Sequence, residues 1–374
     1  MNASTILFFI HGFCPMDEWP HNRREDHNYM MYTVECPTET LRYYNRKLLT
    51  DKFFNSSATY RIDSSVFMPY DALTRITPIT PKEYIWDQKE VLAKVKSKTK
   101  FVFQAVAHCN ANSGRDNLTR KIGELVKIDA VGYCFGVEYT KERYESEIEN
   151  HMFYLALENN ICHNYVTEKF WNSLRSLTVP VVFSRSVFEG MDVPSNAFIA
   201  LDDFKSVNEL VAHLKALQND TEKYLKHFEW TKTYTKRKFG LDYSPICKIC
   251  EYATKQFETK RENIIDLNKF WNDKDCNNDF VRNFLNFLEY MQIETPSKDF
   301  KTSGNCTGIG SFELGRRSSH YFGPRFYRTG PFASFSGQNS RPGRSFEPTR
   351  TGLLTLIKAF RITSYNVCYT KSFT

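Results

Sequence analysis

The segment FYLALENNICHNYVTEKFWNSLRSLTVPVVF, Phe153 to Phe183, decides the fold class. An unbroken apolar run, MFYLALE from Met152 to Glu158, opens this region, and a second, VPVVFS from Val179 to Ser184, closes it. Between them a polar loop leads into an amphipathic stretch that begins at Thr167. Short continuous apolar runs separated by a helical pattern read as strands covered on both faces, hence as a parallel sheet wrapped by helices.

The same alternation extends in both directions. Upstream, FVFQAVAHC (Phe101 to Cys109) reads as a strand, NANSGRD as a turn, and the next stretch as a helix with Leu118, Ile122, Leu125 and Val126 on one face. AVGYCFG (Ala130 to Gly136) is a second strand and KERYESEIENH a solvated helix. Downstream, AFIALDDF precedes a helix from Val207 to Leu217 with Leu210, Leu214 and Leu217 in register. Four to five βα repeats predict a Rossmann-like lobe over residues 96–256. The first 95 residues carry an apolar run from Ile6 to Ile10, a strand in NYMMYTVE and the stretch TYRIDSSVFMPYD. These are too few strands to close a sheet, so this segment reads as a partial lobe. Residues 257–310 read as a helical extension that includes NDFVRNFLNFLEYM (Asn278 to Met291). Residues 311–374, a Gly, Ser, Arg and Phe mixture, read as a disordered or non-native tail without functional weight.

The net charge of +7 invites a polyanion-binding reading until it is located. From Ser311 onward ten Lys and Arg face two acidic residues, a surplus of eight that leaves about −1 for everything before it. The globular part is not basic, and nucleic-acid binding by it loses its support. Ten cysteines fit either an oxidising compartment or scattered core thiols, with connectivity open. Five N-x-S/T sites begin at Asn2, Asn55, Asn117, Asn219 and Asn305, which suits a secreted or luminal protein. No apolar run approaches 20 residues, so either the protein is cytosolic or its amino-terminal anchor lies outside this sequence.

In an open parallel sheet, ligands bind at the carboxyl ends of the strands, where helix N-termini present backbone N–H groups. HCNANSGRDN and ENNICHNYVTEKFW occupy such positions. In the second, Thr167 can cap the helix while Lys169 lies in its first turn. A cation beside a positive helix end is unfavourable unless a phosphate offsets both charges; otherwise Lys169 is an ordinary surface lysine packed on Trp171. Glu168 could bridge ribose hydroxyls or act as a capping-turn acid. Arg115, on the first loop, could hold a diphosphate through its fork or remain solvated. No G-x-G-x-x-G, Walker loop or G-x-S-x-G elbow is present, which removes dehydrogenase, P-loop and α/β-hydrolase readings. Cys247 and Cys250 lack a second close Cys or His pair and read as a local disulfide or two packed thiols.

The opening segment, followed by PSNAFIALDDFKSVNELVAHLKAL, closely resembles the donor-binding motif of the family 10 α-1,3-fucosyltransferases. In the same order come ECP (Glu35 to Pro37), TYRIDSSVFMPY (Thr59 to Tyr70), HCNANSGRDN (His108 to Asn117) and CKIC (Cys247 to Cys250), so the similarity spans about Ile6 to Tyr252. The resemblance implies a GT-B-like α/β fold with one complete Rossmann-like donor lobe plus a partial N-terminal acceptor lobe. It implies inverting transfer of fucose from GDP-β-L-fucose to an N-acetylglucosamine hydroxyl, forming an α-1,3 linkage. Glu35, in ECP where relatives carry ESP, would be the general base. Arg115 and Lys169 would hold the phosphates and Glu168 the sugar-nucleotide hydroxyls. Tyr165 would hold GDP-fucose with them, Glu158 and Asn159 would line the same cleft, and His11 would lie toward the acceptor.

No metal is required by that chemistry, although a divalent cation could stimulate it, and Asp202-Asp203 reads as a strand-end pair. The implied partners are GDP-fucose and a glycoprotein or glycolipid glycan. The implied location is the luminal side of the Golgi membrane. A non-catalytic sugar-nucleotide-binding product is the rival reading, since it needs the donor lobe alone.

Overall fold

The computed structural model describes residues 5–10, 23–40, 52–239, 245–258 and 266–285. His11, Asn2, Asn305 and the tail from Ser311 lie outside them. Two parallel sheets organise the chain.

The first sheet runs β1 (Thr5–Phe9), β2 (Asn28–Tyr32), β3 (Ser56–Thr59) and β4 (Val66–Phe67), in that spatial order. The amino-terminal region therefore has more sheet than the apolar pattern foretold. Its third strand, SSAT, is polar in sequence yet buried along its whole length. That burial is tolerated because the hydroxyls are paired: Ser56 Oγ donates to Asn28 Oδ1 at 2.9 Å, and Thr59 Oγ1 shares a hydrogen bond with Ser64. The helix α1 (Pro37–Thr40) follows β2 directly.

The second sheet has the order β6-β5-β7-β8-β9, all parallel. Its strands are β5 (Lys100–Ala105), β6 (Ile128–Val131), β7 (His151–Leu155), β8 (Val179–Val182) and β9 (Ile199–Ala200). Apart from β6, their interiors are almost wholly buried, and Val102, Phe103, Phe153, Tyr154, Val179 and Val181 are each at most 1% exposed. The helices α2 (Gln88–Lys96), α3 (Arg115–Gly123), α4 (Lys141–Asn150), α5 (Glu168–Arg175), α6 (Val207–Gln218) and α7 (Thr221–Leu225) alternate with these strands or flank them. Leu118 and Ile122 of α3, and Leu210, Leu214 and Leu217 of α6, join the core as their spacing requires. The solvated reading of α4 is modified: its exposed charges surround Tyr144 and Ile148, which are buried.

β6 ends earlier than its apolar run because Gly132 forces a turn. That residue has φ +110°, and a Cβ there would sit 2.2 Å from the Val106 carbonyl oxygen. Only glycine permits so close an approach. Beyond it, the disulfide Cys109–Cys134 ties the loop after β5 to the loop after β6.

In this strand order the chain reverses direction between β5 and β7. The carboxyl edge of the sheet at such a reversal is the place where doubly wound sheets bind ligands.

The carboxyl-terminal elements return to the first sheet. In α8 (Pro245–Glu258), Ile249 packs with Met30, Ala58, Val66 and Met68. Cys247 and Cys250 are free thiols on this helix, exposed and half-buried, so of the two readings the sequence left open the local disulfide does not form. In α9 (Leu267–Phe270) and just after it, Leu267 and Trp271 pack with Phe8, Tyr29, Tyr60 and Tyr165. A second disulfide, Cys162–Cys276, fastens this return segment to the loop after β7. α10 (Phe280–Phe284) lies within the helical run expected from Asn278; residues after Leu285 lie outside those described.

Candidate active site

The loops after β5 and β7 are stitched together at the topological switch point. Ser113 N–H donates to the Asn159 carbonyl at 3.0 Å, and Ser113 Oγ to the Glu158 carbonyl at 2.7 Å. Arg115, the first residue of α3, is 3% exposed. Its Nη1 donates to the Leu157 carbonyl at 3.1 Å and its Nη2 to the His108 carbonyl. The fork therefore faces inward and binds one loop to the other. Its Nε is buried without a hydrogen-bond partner, and burial holds the guanidinium pKa below its ordinary value. Asn159 also keeps a buried, unpartnered Oδ1 at this junction.

The N-terminus of α5 is built around a carboxylate. Thr167 occupies the N-cap position, but its side chain caps nothing. Instead, Thr167 N–H and Oγ1 donate to Glu158 Oε1 at 2.8 and 2.7 Å, so Glu158, from the end of the β7 run, takes over the capping. Lys169 Nζ donates to Glu158 Oε2 at 2.9 Å and to the exposed Glu168 at 3.2 Å. Burial raises the Glu158 pKa, with Lys169 opposing it. Burial also works against the Lys169 ammonium, but the two carboxylates outweigh it and raise its pKa above the usual lysine value. Lys169 is consequently a fixed cation, more enclosed than the surface lysine its sequence position allows.

Tyr165 connects this end to the first sheet. It is 3% exposed, and its OH donates to Glu35 Oε2 at 2.7 Å. Glu35 lies between β2 and α1, half-buried, with its N–H donating to Thr33 Oγ1. Tyr70, whose OH donates to the Val34 carbonyl at 2.9 Å, stands edge-on to the Tyr165 ring. Burial pushes both phenols well above the usual range, so each remains a hydrogen-bond donor at neutral pH. The structure thus brings Glu35 and Tyr165 into contact, joins Glu158, Glu168 and Lys169 in one ion-paired cluster, and sets Arg115 and Asn159 behind the loops.

A seam of polar residues that sequence reasoning missed lies alongside. Glu39 on α1 accepts from Asn160 Nδ2 at 2.9 Å and from Asn112 Nδ2 at 3.4 Å. Asn278 Nδ2 reaches Asn160 Oδ1 at 3.2 Å, and Asn278 Oδ1 accepts from Ile161 N–H at 2.9 Å. The asparagine-rich loops NANS and ENN were the available signal, but their partners are over 70 residues away in the chain. Asp202 and Asp203 bond Ser184 and Arg185 at the ends of β8 and β9. Among the described residues no group of three or more His, Cys, Asp or Glu could hold a metal ion, and no helix is long and apolar enough to cross a membrane.

The sequence model for glycosyltransferase family 10 (fucosyltransferase), C-terminal part, matches residues 95–270, and that for the fucosyltransferase N-terminal part matches residues 1–71. Together they take in well over half of the chain. Alpha-(1,3)-fucosyltransferase fut-5 of Caenorhabditis elegans is 29% identical over 279 residues, covering 71% of this chain and 70% of that protein. The Mus musculus 4-galactosyl-N-acetylglucosaminide 3-alpha-L-fucosyltransferase 9 is 30% identical over 242 residues, covering 64% of this chain and 62% of that one. A crystal structure of an alpha1,3-fucosyltransferase with GDP-fucose superposes with a TM-score of 0.44 at 17% identity, over 69% of this chain and 79% of the other. On the two sequence models and the curated relatives, the chain belongs to glycosyltransferase family 10, the α-1,3-fucosyltransferases.

Proposed function

We propose that this chain transfers fucose from GDP-β-L-fucose to a hydroxyl of N-acetylglucosamine in a glycan, with inversion to an α-1,3 linkage. The observation that carries the reading is the Tyr165–Glu35 hydrogen bond of 2.7 Å. It joins a carboxylate from the loop after β2 to a tyrosine that lies two residues before Thr167, the N-cap of the helix that carries Lys169.

In this reading residues 96–256 bind the donor and residues 1–95 contribute the acceptor side. Lys169 and the first-turn N–H groups of α5 receive the diphosphate, whose charge offsets both the cation and the helix dipole. Arg115 adds a buried positive charge beneath the loops while holding their shape. Glu168, exposed beside Lys169, accepts from the hydroxyls of the sugar nucleotide. Asn159 holds the loop junction through its carbonyl, which accepts from Ser113 N–H. Glu35 takes the proton of the acceptor hydroxyl as that oxygen attacks the anomeric carbon, the bond from that carbon to the β-phosphate oxygen breaks, and GDP departs on the opposite face. Protein cations stabilise the leaving diphosphate, so the step requires no metal. The disulfides Cys109–Cys134 and Cys162–Cys276 support folding in an oxidising compartment, consistent with the luminal Golgi location common to such enzymes.

Glu35→Gln tests the assignment. The variant is expected to lose transfer to N-acetyllactosamine by about 100-fold or more, the usual range for a general base, while keeping GDP affinity. Binding without transfer by the unaltered chain would favour the sugar-nucleotide-binding alternative. Full activity of Glu35→Gln would exclude Glu35 as the base.

A further inference from the structure

Glu35 stands two residues before α1 (Pro37–Thr40), and a helix of four residues has no stability of its own. The position of Glu35 therefore depends on what holds this single turn. Two groups tie it to the core of the first sheet. Cys36 is buried in one cluster with Tyr60, Tyr165 and Trp271, and Thr40 Oγ1 accepts from Trp271 Nε1 at 2.7 Å. Glu39 ties the same turn to the donor side. Its Oε1 accepts from Asn160 Nδ2, in the loop after β7, at 2.9 Å and from Asn112 Nδ2, in the loop after β5, at 3.4 Å. Asn160 is fully enclosed, and its Oδ1 accepts from Asn112 Nδ2 at 3.0 Å and from Asn278 Nδ2 at 3.2 Å. Its amide is thereby held with the N–H groups toward Glu39. A carboxylate accepting there makes a charge-assisted bond, roughly twice as strong as a neutral one.

We infer that Glu39 is a positioning residue for fucosyl transfer, acting through α1 to fix Glu35 against the two donor loops. The inference rests on the role of Glu35 as base put forward above. The donor loops keep their shape without Glu39. Ser113 still bonds the carbonyls of Asn159 and Glu158, the Arg115 fork still bridges those of Leu157 and His108, and Asn112 still donates to Asn160. What α1 retains toward the donor side is the longer contact of Thr38 Oγ1 with Asn278 Nδ2, at 3.4 Å. Removing the Glu39 carboxylate therefore shifts Glu35 relative to the donor while leaving donor binding intact. A displacement of about 1 Å at a reacting group can cost on the order of 100-fold in rate.

The test uses the full-length protein expressed from its natural coding sequence, with transfer to N-acetyllactosamine and calorimetric GDP binding as readouts. In Glu39→Ala, kcat is expected to fall by about 10- to 100-fold, with the KM for GDP-fucose and the GDP affinity unchanged. Glu39→Gln keeps an oxygen acceptor at the same reach and should recover most of the lost kcat. Glu35→Gln/Glu39→Ala should transfer no more slowly than Glu35→Gln alone, because a base already removed has no position to lose. If Glu39→Ala does not fold, Glu39→Asp, which draws the carboxylate back by one methylene, should show the same fall in kcat at unchanged GDP affinity. Unchanged kcat in the folded Glu39 variants would overturn the inference. So would a loss of GDP affinity alongside kcat, or the same fold-loss in the Glu35→Gln background. Full activity of Glu35→Gln would remove the base assignment and this inference together, whereas an inactive Glu35→Gln beside a fully active Glu39→Ala would remove this inference alone.

Discussion

The two ends of α5 carry enclosed basic residues in opposite electrostatic settings. At its N-terminus, Lys169 lies where the helix dipole repels a cation, and the carboxylates of Glu158 and Glu168 raise its pKa. At its C-terminus, Lys98, from the turn before β5, donates to the Ser176 carbonyl at 3.3 Å, the Glu149 carbonyl at 2.8 Å and Thr178 Oγ1 at 2.7 Å. There the dipole favours a cation and the partners are neutral, yet burial pushes Lys98 down to about 7. Arg175, in the last turn, forms a buried pair with Asp71, Nε to Oδ2 at 2.9 Å. The C-terminal groups satisfy helix ends and tie α5 to the segment that leaves the first sheet. The N-terminal lysine is held charged against its local field. In the function proposed above such an arrangement stores charge for an anionic ligand, whereas the other end holds the fold.

Four substitutions sharpen or break this contrast. Arg175→Ala leaves Asp71 buried and unpaired and should cost about 3–5 kcal/mol of unfolding stability, read by denaturant titration, with GDP affinity unchanged in the folded protein. A matching loss of affinity would show that the structural end also binds. Lys169→Ala should weaken GDP binding by about 1.5–3 kcal/mol, the range for a hydrogen bond to a charged group, measured calorimetrically. Unchanged affinity would remove the charge-storing interpretation.

Lys98→Met is tested through pH. Below about pH 7 Lys98 is protonated in both the folded and unfolded chain, and the full cost of burying its charge is present. As pH rises toward 8.5 the folded chain releases the proton while the unfolded chain keeps it, so stability rises, by at most about 1.4 kcal/mol per pH unit. The difference between the parent and Lys98→Met over pH 7–8.5 should show this slope. Higher pH is avoided because the Cys36 thiol, raised by burial, contributes with the opposite sign. The smallest effect belongs to Lys94→Ala, which breaks a pair with Glu149 that is exposed on both sides. It should change stability by less than about 1 kcal/mol, and by removing a like charge it should move the Lys98 titration upward.

The site was legible in unequal parts. Thr167, Glu168 and Lys169 could be placed at a helix N-terminus because an apolar strand, a loop and an amphipathic pattern follow one another in a short stretch. Arg115 reads from the sequence as a loop residue, whereas it opens α3, and its direction was not legible, since the carbonyls of His108 and Leu157 that it binds become neighbours only when β5 and β7 pair. The role of Thr167 was misread for a similar reason: capping rules describe a helix in isolation, and here Glu158 reaches the N-terminus from another element.

By itself, the sequence determined that the stretch from β5 to α6 forms a parallel α/β lobe, because unbroken apolar runs at this spacing can be buried only between two layers of helices. It also located the basic surplus in the tail and made the motifs of family 10 recognisable. Tertiary structure alone decided the first sheet, whose polar strand SSAT is stable only when Asn28 and Ser64 satisfy its hydroxyls. It alone decided the reversal between β5 and β7, and the meeting of Glu35 with Tyr165, 130 residues apart. Hydrophobic periodicity is a local property of the chain, whereas strand order, polar satisfaction and the pairing of distant charges exist only after the elements have packed.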